Sequence, residues 1–181
     1  MKVLVSVASR HGSTAEIATA LAAGMRHRGA RVDVTPPEDV DDLESYDVVV
    51  LGSAVYRSRW LRTAREFAER HAPALRRRDV YIFSSGPIAT GGRAVNTPYD
   101  ACAVAERVEA REHRIFAGKL DPAVLGTGER MVVRMVGAPA GDFRDWDAIG
   151  AWGAHIVARA NSRDREADDI APAPSQRGVR R

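Results

Sequence analysis

Cysteine is all but missing from this chain. Cys102 is the single one in 181 residues. That excludes an intrachain disulfide, a CxxC redox pair and a cysteine-ligated iron–sulfur cluster, and it fits a reducing compartment. Long apolar runs are missing too. The N-terminal run "KVLVSVA" has strand length, far short of the roughly 20 residues a membrane span needs, and no signal-peptide cleavage pattern follows it. Charge of one sign is not in large excess. A net charge of +3 favours anionic partners without requiring nucleic acid, and no RNA-binding or zinc-finger pattern is present. His71, His113 and His155 have no companions at metal-ligand spacing. No internal repeat occurs, and the length suits one domain with a proper core. The expectation is a cytoplasmic, soluble protein that binds neither nucleic acid nor metal.

What is present is an alternation of strand and helix signals. "KVLVSVA" (Lys2 to Ala8) reads as a central strand buried on both faces. Ile17, Ala18, Leu21 and Met25 then recur at helical spacing, and Gly29 is placed to end that helix. "ARVDVT" alternates like a more exposed strand, and "YDVVVLGSAV" is a second buried one. A helix is expected from Trp60 to Arg70, with Leu61, Ala64, Phe67 and Ala68 as its apolar face. "DVYIFSS" is the next strand, followed by the Gly/Pro-rich loop "SGPIATGGRAVNTP", whose "GGRAVNTP" part suits a lid or an ordinary surface loop. "ACAVAERVEA" reads as a helix and "HRIFAGKL" as the last strand. "GERMVVRMVG" is a candidate short helix. Its alternation of Arg130 and Arg134 with apolar residues suits either peripheral contact with the inner face of a membrane or packing with two solvated arginines. The closing helix carries Ile149, Trp152, Ile156 and Val157 on one side. The domain is expected to span residues 1–160, and the charged, Pro- and Gly-containing stretch 161–181 to be a disordered tail.

This alternation specifies an α/β fold, a doubly wound, five-stranded parallel sheet in the order 2-1-3-4-5 with helices on both faces. Ligands of such sheets bind beyond the carboxyl ends of the strands. Three loops lie there: Ser9 to Ser13, Gly52 to Arg59, and Ser85 to Thr97.

The first loop is the most informative. Ser9, Arg10, His11, Gly12, Ser13 and Thr14 sit between a buried strand and a helix. Three hydroxyls, a helix N-terminus and a glycine converge, which makes an anion cradle. A simple N-cap needs only one of those hydroxyls. The loop matches neither GxxxxGK[ST] nor GxGxxG, so no Walker-type or NAD-binding site is indicated. Arg10-His11-Gly12 can also be read as the RHG of a histidine phosphatase, with His11 as nucleophile and Arg10 and Arg62 holding phosphate. Against that reading, the late strands end in "FSSGP" and "FAGKL", without the second histidine such a mechanism requires.

"SRHGSTAEIA" resembles the phosphate loop of the flavodoxin family, with Ser9, Gly12 and Thr14 matching and His11 standing where a Thr is usual. "YDVVVLGSAVYRSRW" is similar to that family's second flavin loop, and "VYIFSSGPI" to its third. A closer likeness is to the menaquinone-dependent protoporphyrinogen oxidases and their flavodoxin-domain relatives. It rests on Gly52-Ser53-Ala54-Val55 and on Arg144-Asp145-Trp146 leading into the last helix. The resemblance implies non-covalent FMN. Its phosphate would lie on Ser9 to Thr14. Its ring would lie among Ser53, Ala54, Val55, Tyr56 and Arg57 on one side and Ser85, Gly86 and Pro87 on the other, with Tyr56 first and Trp60 second as stacking partners. It implies an oxidoreductase that passes electrons to a redox partner or quinone, with a porphyrinogen as substrate, and requires no side-chain nucleophile. A non-enzymatic electron shuttle is the other reading. Typical shuttles of the family are strongly acidic, and this chain is net basic.

Overall fold

The computed structural model describes residues 1–56, 58–86, 98–136 and 140–170. Its main sheet is built on β1 (Lys2–Ala8), β2 (Arg31–Thr35), β3 (Val48–Tyr56), β5 (Asp79–Ser85) and β6 (Glu112–Phe116), in the order β2-β1-β3-β5-β6, all parallel. That is the expected 2-1-3-4-5 arrangement. The numbering shifts because a short strand, β4 (Arg59–Trp60), folds back antiparallel on the end of β3.

The central strands are apolar because each face meets a helical layer. Val3, Val5 and Val7 of β1 face α1 (Ser13–His27) and α6 (Trp146–Ile170). Leu4 and Ala8 face α2 (Arg62–Arg70), α3 (Ala72–Leu75) and α4 (Tyr99–Val108). Alternate residues of one strand thus enter two different cores. Ile17, Leu21 and Met25 of α1, and Ile149 and Ile156 of α6, are fully buried. Each large apolar side chain so placed contributes roughly 1.5–3 kcal/mol relative to exposure. Gly29 follows the end of α1 with φ +88°, the left-handed conformation that stops a helix.

Several boundaries differ from the sequence expectation, three of them where distant residues intervene. The helix expected from Trp60 starts at Arg62. Trp60 is held in β4 because its backbone N–H donates to the Asp100 carboxylate at 3.1 Å and its indole N–H to Ser84 Oγ at 2.8 Å. The last expected strand, "HRIFAGKL", is broken after Phe116. Lys119–Leu120 (β7) leaves the parallel sheet and pairs antiparallel with β8 (Gly141–Asp142), and α5 (Thr127–Val136) is inserted between the two. Phe143 N–H donates to the Gly118 carbonyl at 3.2 Å, closing the ribbon's base. Finally, α6 runs through Ile170, past the Ala160 expected as its end. Arg163 in that extension reaches back to Asp79 Oδ1 at 2.6 Å. Residues 171–181 lie outside the described residues.

Helices α1 and α6 cross on glycines. A Cβ on Gly24 would lie 2.2 Å from the Gly150 carbonyl oxygen, and one on Gly153 would lie 2.4 Å from that of Leu21. A Cβ on Gly150 would meet nothing within 4 Å. Gly153→Ala should therefore destabilise the fold by about 1–3 kcal/mol through backbone displacement. Gly150→Ala, on the same helix, should be neutral or stabilise by up to about 1 kcal/mol through helix propensity. Urea unfolding of the two variants reads this directly, and equal effects would mean the helices do not cross at this distance.

Candidate functional site

The parallel sheet delivers three strand ends to one edge. Ala8 pairs with Ser53, and Ala54 with Ser85, so the loops after β1, β3 and β5 leave side by side.

The first loop ends in Gly12, the N-cap of α1, at φ +84° and with open space where a Cβ would stand. No side chain among the described residues caps this helix. Its first internal bond runs from Glu16 N–H to the Gly12 carbonyl at 2.9 Å. The amides of Ser13, Thr14 and Ala15 therefore have no acceptor inside the helix. Thr14 is buried. Ser9 Oγ is shielded from solvent and has no hydrogen-bond partner among the described residues. Ser13 Oγ accepts from Lys119 N–H at 3.2 Å, which leaves its own proton to donate.

Arg10 and His11 lie against the second loop. The Arg10 guanidinium stands 5.2 Å from the Tyr56 ring centroid, and the His11 ring is 6.0 Å from it. The side chain of Ser53, by contrast, is committed to the fold. Its Oγ donates to the Ala54 carbonyl and accepts from Leu61 N–H, both at 2.9 Å. Ala54 is buried, and Val55 and Tyr56 are half-buried. Trp60, the second stacking candidate, is 2% exposed in the core under α2 and α4. Its indole is bound to Ser84, so the flavin-side role considered for it is not supported by its position.

In the third loop, Ser85 is buried, and Gly86 sits at φ +97° with its N–H donated to the Phe116 carbonyl at 3.1 Å. A Cβ on Gly118 would lie 3.5 Å from Gly86 Cα, so the base of the β7–β8 ribbon touches this loop as well as Ser13. Arg57, Pro87 and the "GGRAVNT" part of the lid candidate lie outside the described residues.

Two groups near this edge were not legible in the sequence as a site. Ser84 Oγ, which accepts from Trp60, lies 2.8 Å from His113 Nε2. Burial holds the His113 imidazole below its ordinary value of 6.5. Arg144 closes the second group. Its fork holds Asp142 at 2.7 and 2.5 Å, and its Nη1 reaches Glu16 Oε2 at 2.7 Å and the Ser13 carbonyl at 3.2 Å. The guanidinium holds the Asp142 carboxyl down at about 2.

In α5, Arg130 and Arg134 are both exposed, as expected for solvated arginines. Met131 and Met135 are exposed, and Arg130 Nε donates to the Leu125 carbonyl at 2.9 Å. No described helix is long and apolar enough to cross a membrane, and the described residues hold no cluster able to bind a metal ion. A broad cavity of about 950 Å³ lies at the opposite, amino-terminal edge of the sheet. Within it Asp79 pairs with Arg111 at 3.0 Å and with Arg163 at 2.6 Å. Sheets of this topology bind ligands at the other edge.

His113 gives a pH prediction. Its folded-state pKa is lowered, so the stability it contributes is present above about 6.5 and is lost as pH falls toward the folded value. Unfolding free energy should drop as the pH is lowered from neutral through about 6.5. His113→Gln should flatten part of that slope in urea titrations. An unchanged slope would mean the imidazole titrates alike in both states.

A model of the flavodoxin domain matches residues 4–147. Among curated proteins, the chain is 30% identical over 91 residues to the protoporphyrinogen IX dehydrogenase [quinone] of Escherichia coli strain K12, across 49% of this chain and 50% of that one. The chain spans about half the length of the curated relatives it matches. Among solved structures, a flavodoxin from the domain Archaea superposes with a TM-score of 0.62 at 16% identity, covering 89% of this chain and 99% of that one. Oxidised Flavodoxin 1 from Bacillus cereus gives 0.59 at 17% identity, covering 87% and 98%.

Proposed function

The chain belongs to the flavodoxin domain family, and from that premise we propose that it binds FMN non-covalently and transfers electrons through it. The observation that carries the reading is at the first loop. Ser9 Oγ is buried without a partner among the described residues, beside a helix that no described side chain caps and a glycine that leaves room for close approach. A buried hydroxyl left unsatisfied is costly, and a phosphate oxygen would satisfy it. The donor set fits the group: Ser9, Ser13 and Thr14 offer hydroxyls, and the first turn of α1 offers amides and its dipole.

FMN, when bound, supplies the redox chemistry. The chain's own residues bind and enclose it. Arg10 and His11 bring positive charge and ring surface to the junction of the first two loops. Tyr56 is the aromatic face on offer, and Ala54 and Val55 have backbone groups at the same edge. Ser85 ends β5 on the other side, and the left-handed Gly86 turns the chain there. The Ser84–Trp60–His113 hydrogen bonds fix the strand end that carries this third loop.

The finer reading is an oxidoreductase that takes electrons from a porphyrinogen-type substrate and gives them to a quinone. It rests on the half-length likeness to the Escherichia coli enzyme. The net charge of +3 also sets the chain apart from an acidic electron shuttle. The histidine-phosphatase alternative has little left to stand on. Arg62, which it requires at the phosphate, is 78% exposed and pairs with Glu66 at 3.1 Å.

The purified protein should show two visible flavin absorbance bands after incubation with FMN and removal of the excess. Stoichiometric FMN should be released on denaturation. Ser9→Ala with Thr14→Ala should weaken FMN binding on the order of a hundredfold, from two lost hydrogen bonds to a charged group. Tyr56→Ala should shift the flavin spectrum and potential. A protein that refuses FMN would sink the proposal, and phosphatase assays with a His11→Ala control would then take precedence. Porphyrinogen oxidation with added quinones tests the finer reading, and no turnover by FMN-loaded protein would overturn it.

A further inference from the structure

Arg144 is buried and over-connected. Its side chain is 3% exposed. A fork onto Asp142 in β8 already neutralises it. Yet it also stacks 4.2 Å from the ring centroid of Trp146 and sends Nη1 to two groups in the first turn of α1, the Glu16 carboxylate and the Ser13 carbonyl. A buried cation needs partners, but one well-placed carboxylate suffices to pair it. The second arm therefore calls for another explanation.

Glu16 supplies it. It is the acidic residue in the first turn of α1, where the helix dipole attracts a carboxylate. A carboxylate drawn to the first amides would compete with, and repel, any anion meant for them. Arg144 holds Glu16 Oε2 at 2.7 Å, and no described side chain caps the helix. The same Nη1 fixes the Ser13 backbone, and Lys119 N–H fixes the Ser13 hydroxyl from the other strand of the ribbon. The amides and hydroxyls of the cradle are thus held open and oriented from behind, by a residue well over a hundred positions away in sequence.

We propose that Arg144 is a positioning residue for the phosphate cradle. By drawing Glu16 aside and anchoring Ser13, it makes the site select a phosphorylated flavin over its dephosphorylated form. This rests on the FMN reading above. Arg144 acts through Ser13 and Glu16.

The test compares FMN with riboflavin, which shares the ring and ribityl chain but lacks the phosphate. Dissociation constants are measured by fluorescence quenching for the full chain and for Arg144→Met, Arg144→Lys and Arg144→Met/Glu16→Gln. The proposal expects Arg144→Met to weaken FMN at least tenfold while riboflavin changes less than twofold. Removing the released carboxylate in the double variant should restore part of the FMN affinity. Arg144→Lys keeps the charge and gives up the fork, and should fall between the two. It is also the variant to read if the Met substitution does not fold. Equal loss for FMN and riboflavin would show a merely structural role and overturn the inference, as would FMN affinity indifferent to all three changes. Wild-type protein that binds riboflavin and FMN alike overturns the selectivity while leaving flavin binding intact. Protein that binds neither overturns the FMN reading and this inference with it.

Discussion

The whole candidate cofactor edge depends on one constraint, that β1, β3 and β5 are buried on both faces. A strand in that position cannot tolerate a polar side chain without a partner, so its polar residues collect where the strand ends. Ser9 follows Ala8, Ser53 is the last residue of β3 paired with β1, Tyr56 ends β3, and Ser84 and Ser85 end β5. Parallel pairing then puts those ends at one edge in register. The site exists because the core expels polarity to it. Ser6 is the exception, a hydroxyl buried inside β1 without a partner among the described residues.

That edge is braced from two directions. Beneath the third loop, Ser84 ties Trp60 to His113 and so links β4, β5 and β6. Behind the first loop, the β7–β8 ribbon meets α1 through Lys119 and Arg144. The ribbon also approaches the third loop, where Gly118 lies against Gly86. The inserted segment that carries α5 thus grows from a base joined to two of the three loops.

Much of the architecture was legible because it follows from local periodicity. The run Lys2 to Ala8 is observed as β1, and Asp79 to Ser85 as β5, to the residue. The apolar positions Ile17, Leu21, Phe67 and Ile149 that the spacing assigned to the core are buried. The misreadings have a common cause. Trp60 looked like the start of a helix and "HRIFAGKL" like one strand, since each is locally apolar. Their fates are decided by partners distant in sequence: Asp100 and Ser84 for Trp60, and Asp142 and Gly141 for Lys119 and Leu120. In the candidate site, the uncapped glycine-led turn of α1 could be anticipated from Gly12, Ser13 and Thr14. The commitment of Ser53 to Leu61 N–H could not.

By itself the sequence determined the order of elements, the two-faced burial of the central strands and the three loops at their carboxyl ends. Each of these is set by side-chain period and by the handedness of parallel crossovers. Only the tertiary structure decided which hydroxyls are free to serve a ligand and which are spent on the fold. It also placed Arg144 behind a helix that begins near the other end of the chain. Hydrogen bonds between distant residues leave no periodic trace in a sequence, because their geometry is created when the sheet and its helices close around one another.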